Sequence, residues 1–189
     1  MRNYLILDIE TNGVGTFRPP RQRPIQVSFQ LIDGKGNILK DYSEFIKGVN
    51  LIRWGGSIGE CPWSVEFVNN NGVSLGKCLK EIKKCINEDT IIVGHNIEFD
   101  VGTLMNSRHS KTIASTPTIC TMKSSVEFCK IKKSGYATKY NGYKWPKLSE
   151  LSQVLEIPTT LENFHDSKYD VEITKKCFLK LIKNQVLKG

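Results

Sequence analysis

The order of the predicted secondary-structure elements is the feature that most restricts the fold of this chain. Residues 4–9, 24–33 and 38–47 have the apolar or alternating patterns of β-strands, and the turn sequence GKGN joins the last two. Helical patterns follow and alternate with two further short strands, at 90–94 and 116–122. Strands joined by short turns pair antiparallel, whereas strands joined by helices pair in parallel. The sequence therefore predicts an α/β fold whose mixed five-stranded sheet is antiparallel in its first three strands and parallel in the remainder, flanked by helices.

The helical segments have apolar residues at helical spacing, which predicts that each lies with one face against the sheet. They are expected at residues 63–68, 74–86, 97–107, 147–155 and 167–186, with a brief helix after the strand at 116–122. A chain of 189 residues, 39% of them hydrophobic and 24% charged, is long enough for a sizeable core. We therefore predict a single domain over residues 1–189.

The formal net charge of +8 favours a polyanionic partner, most often nucleic acid, although such a charge also serves solubility alone. The first strand pattern starts at residue 4, which leaves no room for a signal peptide, and no apolar run approaches the roughly 20 residues of a membrane span. The six cysteines form no C-x-x-C pair, which is typical of reduced thiols, with a disulfide framework or a zinc site as the alternative. We expect an intracellular protein, cytoplasmic or at the site of replication, that is neither secreted nor membrane-bound.

Two acids stand where the first strand should still be inside the protein. The sequence LILDIETNG begins with branched apolar residues and then places Asp8 and Glu10 two positions apart. Residues two apart in a strand share a face, so these carboxylates point the same way and repel each other. Buried charge without a partner is costly, which predicts that something at this position compensates for it.

Two further acids lie beside the apolar stripes of predicted helices. Asp100 lies three residues after Ile97 and four before Leu104, and Asp170 lies one turn before Thr174. Salt bridges are one explanation, but few arginines stand near these acids and the lysines lie mainly on the outer faces. A pair of Mg²⁺ or Mn²⁺ ions is the simpler partner for four gathered carboxylates, because such hard cations bind carboxylate oxygens and occur in pairs in nucleases and polymerases.

Three short motifs together resemble a known family. DIET at the first strand, GHNIEFD at the helix start and HDSKYDV at the last helix resemble the three motifs of the DnaQ-like DEDDh 3′–5′ exonucleases, which have a ribonuclease-H-like fold and include polymerase proofreading subunits. The segment YKWPKLSELSQVL is also similar to the helix that precedes the third motif in many members. The resemblance extends from residue 4 to about residue 183.

The resemblance implies a role for each matching residue. Asp8, Glu10, Asp100 and Asp170 would bind two divalent metal ions, and His165 would be the general base. Asp166 stands where the tyrosine branch of the superfamily has Tyr, which favours the histidine branch; we interpret Asp166 itself as a solvated loop acid. Five residues would contact the 3′-terminal nucleotide: Thr11, Gly13, Val14, Asn96 and Phe99. The alternatives are a helix cap for Asn96 and a core aromatic for Phe99, while His95 is expected to be a turn or surface histidine.

Residues 130–147 combine lysines and aromatic rings without an acid, a pattern that suits a single nucleic-acid strand. The alternative is a solvated loop whose aromatic residues cover the core, and Trp145 is the ring that we expect to be structural. The candidate phosphate contacts, including an arginine group at 18–23, are Lys132, Lys133, Lys139, Lys144, Arg18, Arg21 and Arg23.

The acid cluster and the resemblance together predict a metal-dependent 3′–5′ exonuclease that acts on a nucleic acid with a free 3′ end and releases nucleoside 5′-monophosphates, and the proofreading members of the family favour DNA as the substrate. An exonuclease acting on RNA or short oligoribonucleotides is the first alternative, since contacts with the 2′-hydroxyl group would decide between them. A non-catalytic nucleic-acid-binding or polymerase-associated module is the second. A DNA polymerase is a candidate protein partner, although the short segment after the last helix favours a free-standing nuclease.

Overall fold

A computed structural model describes residues 2–13, 22–54, 60–105, 111–132 and 142–187 of the chain. Several residues singled out in the sequence lie outside the described residues: Val14, Arg18, Arg21, Lys133 and Lys139.

Five strands form one sheet in the order β3-β2-β1-β4-β5. Their bounds are Asn3–Thr11 for β1, Pro24–Asp33 for β2, Ile38–Phe45 for β3, Thr90–Gly94 for β4 and Thr118–Cys120 for β5. β1 pairs antiparallel with β2, and β2 pairs antiparallel with β3, whereas β4 runs parallel to both β1 and β5. The predicted mixed sheet is therefore confirmed, with the first strand at its centre.

Eight α-helices lie in the described part of the chain, together with a short 3₁₀ helix. The α-helices are α1 Val65–Asn71, α2 Leu75–Lys84, α3 Ile97–Leu104, α4 Lys111–Ser115, α5 Thr121–Ser124, α6 Val126–Cys129, α7 Leu148–Val154 and α8 Ser167–Lys183, and the 3₁₀ helix is Leu161–Asn163. Ser64 and Ser74 cap α1 and α2 with their hydroxyl groups, so α1 begins at Val65 and ends at Asn71 rather than covering 63–68, and α2 begins directly after Ser74.

Three predictions about the elements need correction. The strand predicted at 116–122 is only three residues long, because α5 begins at Thr121, whose hydroxyl oxygen lies 3.2 Å from the Gly94 carbonyl oxygen of the neighbouring strand. The helix α4 was not predicted; it is five residues long and buries one side chain, Ile113, which is too short a pattern to recognise. Helix α8 ends at Lys183 rather than at residue 186.

The sheet is covered on both faces. Leu5, Leu7 and Ile9 of β1 face a core that also contains apolar residues of α2, α3 and α4. Tyr4 and Ile6 point to the opposite face, where Val171 and Phe178 of α8 cover them. A further apolar cluster joins α7 to α8. This layering explains why β2 is buried on both sides and why α8 lies directly over the face that carries Asp8 and Glu10.

Among the described residues, no helix is both long enough and apolar enough to span a membrane. All six cysteines lie within the described residues, and no two of them are joined by a disulfide bond.

Candidate functional site

The face of β1 changes character halfway along the strand. Tyr4 and Ile6 are buried apolar residues, and the next residues on that face are Asp8 and Glu10. Across the ladder, Asp8 lies opposite Ser28 of β2 and Glu10 lies opposite Gln26. The acids therefore stand beside a polar row of β2, at the end of the sheet where the parallel strands finish.

Asp100 reaches the same end of the sheet from α3. Strand β4 pairs with β1 only as far as Ile6, so the backbone N–H of Ile9 lacks a strand partner on that side and donates instead to the Asp100 carboxylate. Gly94 lets the chain pass close to β1 at this point because it has no side chain. A side chain at this position would come within 3.0 Å of the Leu7 carbonyl oxygen. Asp100 is 3% exposed, so this carboxylate is one of the buried charges that the sequence predicted.

The polar row of β2 fixes the start of α8. The amide oxygen of Gln26 accepts a hydrogen bond from the Ser167 N–H at 3.0 Å, and its amide nitrogen donates to Asp166 Oδ1 at 3.1 Å. The hydroxyl groups of Ser28 and Ser167 lie 2.7 Å apart. Asp166 is therefore the N-cap of α8, since it also accepts from the Lys168 N–H, and is not merely a solvated loop acid.

This anchored start places Asp170 and His165 next to Glu10. The His165 backbone N–H donates to Asp170 Oδ2 at 3.2 Å, and His165 has a left-handed backbone with φ of 70°. Such a conformation is uncommon outside glycine and is often found at functional sites. One ligand atom from each of Glu10, His165 and Asp170 can be chosen so that all three lie within 4.8 Å of one another.

The pKa values of the four acids show that this arrangement is unfavourable for their charged forms. Burial raises the pKa of Glu10 to about 8 and that of Asp170 to about 7, and neighbouring carboxylates add to both shifts. Burial also raises the pKa of Asp8 and Asp100 well above the ordinary value, with repulsion from the other acids adding to it. The protein alone therefore does not neutralise this cluster, and a bound cation or protons must do so.

The donor set fits a hard divalent cation. The four carboxylates supply only oxygen ligands, the kind that Mg²⁺ and Mn²⁺ prefer. Asp170 Oδ1 is buried and has no hydrogen-bond partner among the described residues, so it is a free ligand atom inside the site. Buried polar atoms are rarely left without a partner, and a cation would satisfy this one.

His165 differs from the acids because it remains exposed to solvent. The surrounding residues still cover part of the ring, and this partial loss of water and, to a lesser extent, the charge of Lys147 lower the pKa of its imidazole below the ordinary value. The imidazole is then neutral at physiological pH and can accept a proton. Sequence reasoning did not assign a role to Lys147, which occupies the N-cap position of α7 and whose charge acts on His165.

Trp54 is a second neighbour of His165 that the sequence did not reveal. Its indole Nε1 donates to the Thr11 carbonyl oxygen at 2.7 Å, and its ring centroid lies 6.1 Å from that of His165 in an edge-on arrangement. The bond joins the end of β1 to a loop 43 residues further along the chain. No local pattern in the sequence marks such a contact.

The end of β1 is held closely to that loop. Gly13 has φ of 148° and pairs with Arg53, and a side chain at this glycine would come 2.3 Å from the Arg53 carbonyl oxygen. Thr11 is buried and its hydroxyl group donates to the Gly13 carbonyl oxygen at 3.2 Å. The sequence thus needs glycine at this position for close approach of the backbone. A role of Thr11 and Gly13 in nucleotide binding stays a prediction.

The alternative for Asn96 is met in part, and the alternative for Phe99 is wrong. Asn96 occupies the N-cap of α3, but its side chain makes no capping hydrogen bond and is exposed. Phe99 is 40% exposed, so its ring is not a core residue. Both side chains are therefore available at the surface beside Asp100, as nucleotide contacts would require.

His95 is a structural link rather than a surface histidine. Its Nε2 lies 2.9 Å from the Pro146 carbonyl oxygen and its Nδ1 lies 3.0 Å from the Thr121 hydroxyl oxygen. Because a carbonyl oxygen only accepts, Nε2 carries the proton. Burial lowers the pKa of His95 to about 4, so the ring stays neutral and joins the start of α3 to the segment before α7.

The described members of the predicted phosphate-binding set have contacts within the chain. Lys144 Nζ lies 2.5 Å from Glu150 Oε1, and Arg23 Nη1 donates to the Gly48 carbonyl oxygen at 3.0 Å. Lys132 is exposed and its backbone pairs with Tyr143. Their contact with nucleic acid stays a prediction, and Lys144 would have to leave Glu150 to make it.

Comparison with known proteins found similar sequences and similar folds. No protein-family model matches the chain. PolC-type DNA polymerase III of Streptococcus pneumoniae serotype 2 is 28% identical over 186 residues, which cover 95% of this chain and 11% of the polymerase. The chain therefore spans only about one tenth of the length of that curated relative.

The fold has a counterpart in exonuclease I. A structure of exonuclease I superposes with a TM-score of 0.68 at 17% identity, over 97% of this chain and 41% of that chain. E. coli exonuclease I in complex with a dT13 oligonucleotide gives a TM-score of 0.63 at 19% identity, with the same coverage. The chain is thus homologous to a segment of PolC-type DNA polymerase III and has the fold of exonuclease I, and the resemblance inferred from the three sequence motifs agrees with both findings.

Proposed function

We propose that residues 1–189 form a metal-dependent 3′–5′ exonuclease domain that hydrolyses phosphodiester bonds at the 3′ end of a nucleic acid. The observation that carries this proposal is the meeting of Asp8, Glu10, Asp100 and Asp170 at one end of the sheet, beside an exposed His165. The homology to a DNA polymerase and the exonuclease I fold support the same chemistry.

Two divalent cations, Mg²⁺ or Mn²⁺, are the proposed cofactors, held by Asp8, Glu10, Asp100 and Asp170. When bound, such a pair lowers the pKa of an attacking water and stabilises the charge that develops on the scissile phosphate and its leaving 3′ oxygen. The protein contributes four oxygen donors on β1, α3 and α8. The bonds from Gln26 and Ser28 to the start of α8 hold Asp170 in place for this role.

His165 is the proposed general base. Its imidazole is neutral at physiological pH because burial and Lys147 lower its pKa, so it can take the proton of the attacking water. The product would be a nucleoside 5′-monophosphate. Trp54 restricts the imidazole from one side, and the exposed position of His165 leaves room for substrate on the other.

DNA is the proposed substrate, because the homologous protein is a DNA polymerase and exonuclease I has been observed with a dT13 oligonucleotide. Thr11, Gly13, Asn96 and Phe99 border the acids and are the proposed contacts of the terminal nucleotide. RNA is the second candidate, since none of these residues is a marker for the 2′-position. Association with a DNA polymerase is a further proposal from the same homology.

The test measures release of labelled nucleotide from the 3′ ends of single-stranded DNA and RNA. With Mg²⁺ or Mn²⁺ the wild-type protein should release 5′-monophosphates, and excess chelator should abolish the release. Asp8→Asn should reduce the rate to background while the protein stays folded. The matched control is Asp41→Asn, since Asp41 is an exposed acid on the edge strand β3 and its loss should leave the rate unchanged.

Full activity in excess chelator would overturn the metal-dependent mechanism. Equal loss in Asp8→Asn and Asp41→Asn would show that the acid cluster has no special role. Faster release from RNA than from DNA would favour the second candidate substrate, and no release from either would reject the exonuclease.

A further inference from the structure

Trp145 is an exposed aromatic ring on a firmly held backbone. It is 62% exposed, although the sequence pattern had suggested a structural ring. The residues on either side are anchored: the Lys144 N–H donates to the Ile131 carbonyl oxygen at 2.9 Å, and the buried Pro146 accepts through its carbonyl oxygen from His95 Nε2 at 2.9 Å. The chain thus fixes the position of a large ring that it does not bury.

The surroundings of Trp145 link it to the acid site. Lys123 Nζ of α5 lies 5.9 Å from the centroid of the indole ring and 2.5 Å from Glu98 Oε1 in the first turn of α3. Asp100 follows Glu98 two residues later in the same helix. Pro146, next to Trp145, is bonded to His95, which directly precedes Asn96 at the start of α3. Lys123 therefore joins Trp145 to the exposed face of α3, the helix that carries Asp100 on its buried face.

The charge around Trp145 suits a polyanion. Exposed lysines occur on α5, at the end of α6 and on both sides of the segment that bears the ring: Lys123, Lys130, Lys132 and Lys147. Lys123 already lies over the indole ring. Proteins that bind single strands use such a combination of an aromatic ring and lysines, because a base stacks on the ring and the adjoining phosphate lies beside a lysine. A protein partner with an apolar surface would gain less binding energy from these lysines.

We propose that Trp145 is a stacking platform for a base of a single-stranded nucleic acid whose 3′ end enters the acid site. This inference rests on the proposed exonuclease function and adds a contact with the strand away from the scissile bond. Stacking is possible with every base, so the contact favours single-stranded over fully paired substrate and does not select a sequence.

Binding and catalysis can be tested separately. Binding of fluorescein-labelled oligo(dT) of about a dozen nucleotides is measured by anisotropy at low salt in excess chelator, where no hydrolysis occurs. Trp145→Ala should weaken binding by about 5- to 150-fold, the usual effect of losing one base stack, and Trp145→Phe should restore most of it. The control is Phe67→Ala, which removes a ring that is 42% exposed on α1, at the β3 edge of the sheet, and should not alter binding.

A second readout separates this contact from a structural role. With Mg²⁺, Trp145→Ala should raise KM for the long oligonucleotide and leave kcat unchanged. Both constants should be unaltered for the p-nitrophenyl ester of thymidine 5′-monophosphate, which reaches only the acid site. Because the ring is exposed, the melting temperature of the variant should equal that of the wild type.

Unaltered oligo(dT) binding by Trp145→Ala, or no binding by the wild-type protein, would overturn the proposal. A variant that changes only the oligomeric state would assign the ring to a contact between copies of the chain and would also overturn it. If the protein binds oligo(dT) through Trp145 and yet releases no nucleotide, the exonuclease proposal fails and the stacking platform stands.

Discussion

The two halves of β1 form opposite kinds of contact with the same helix. In the first half, Tyr4 packs edge-on against Phe178 of α8, with ring centroids 4.8 Å apart. In the second half, on the same face, Asp8 and Glu10 come close to Asp170, and repulsion from Asp170 and Asp100 adds to the raised pKa of both. The apolar half stabilises the fold and the acidic half opposes it. The comparison shows that rigid packing at one end of a strand–helix pair can hold repelling groups together at the other end.

The acidic half should respond to substitution mainly in activity, and the largest effect outside the four acids is expected at His165. His165→Ala should lower the rate by roughly 10²–10⁴-fold, the usual share of a general base, with little change in substrate KM. Steady-state kinetics on a labelled 3′ end measures both constants. The control is His95→Asn, which removes a histidine that serves a structural link and should affect stability more than kcat. An unchanged kcat in His165→Ala would assign proton transfer to another group.

The apolar half should respond in stability. Phe178 is fully buried, so Phe178→Ala should lower the free energy of unfolding by about 3–5 kcal/mol through lost burial and a cavity. Urea denaturation measures this change. Leu161→Ala serves as the control, because Leu161 is 71% exposed and its loss should cost less than about 0.5 kcal/mol. A loss below about 1 kcal/mol in Phe178→Ala would mean that this contact does not hold the acidic half together.

The smallest effect expected is a pH dependence of stability in the metal-free protein. The folded-state pKa of Glu10 is raised from 4.5 to about 8, so its favourable contribution is complete below pH 4.5 and is lost as the pH rises towards 8. His95 and His165 change stability in the opposite direction as the pH rises. Above about pH 6.5 both are largely neutral in the folded and the unfolded state, so their contribution to the pH dependence fades. Between pH 6.5 and 8, unfolding in chelator should therefore become easier, by at most about 1.4 kcal/mol per pH unit for each carboxyl group.

The control for this pH dependence is Glu10→Gln, which should show a flatter stability profile than the wild type over the same range. Identical slopes for the two proteins would mean that Glu10 does not carry the raised pKa.

The sheet was predictable because its signals are local. The alternation in β2 and the turn before β3 determine pairing, and the spacing of Asp8 and Glu10 determines that they share a face. The three motifs likewise identified the acids of α3 and α8 before any contact was known. Element ends and the very short β5 and α4 were less predictable, because tertiary bonds such as that of Thr121 decide where they stop.

The supports of the site could not be predicted, because they join residues that are distant in the chain. Trp54 binds Thr11 over 43 residues, and Gln26 binds Ser167 over 141 residues. No spacing of residues in the sequence predicts such long-range hydrogen bonds of a tryptophan or a glutamine. The exposure of Trp145 depends on how the segment before α7 is anchored by His95, whose role was also missed.

Thermal unfolding of the wild type and Asp8→Asn, each with chelator and with Mn²⁺, tests most directly the claim that the acid cluster is a cation site. Repulsion falls when one acid is removed, so Asp8→Asn should melt at a higher temperature than the wild type in chelator. Mn²⁺ should raise the melting temperature of the wild type much more than that of the variant. A wild-type protein that does not respond to Mn²⁺ and melts above Asp8→Asn in chelator would contradict the account.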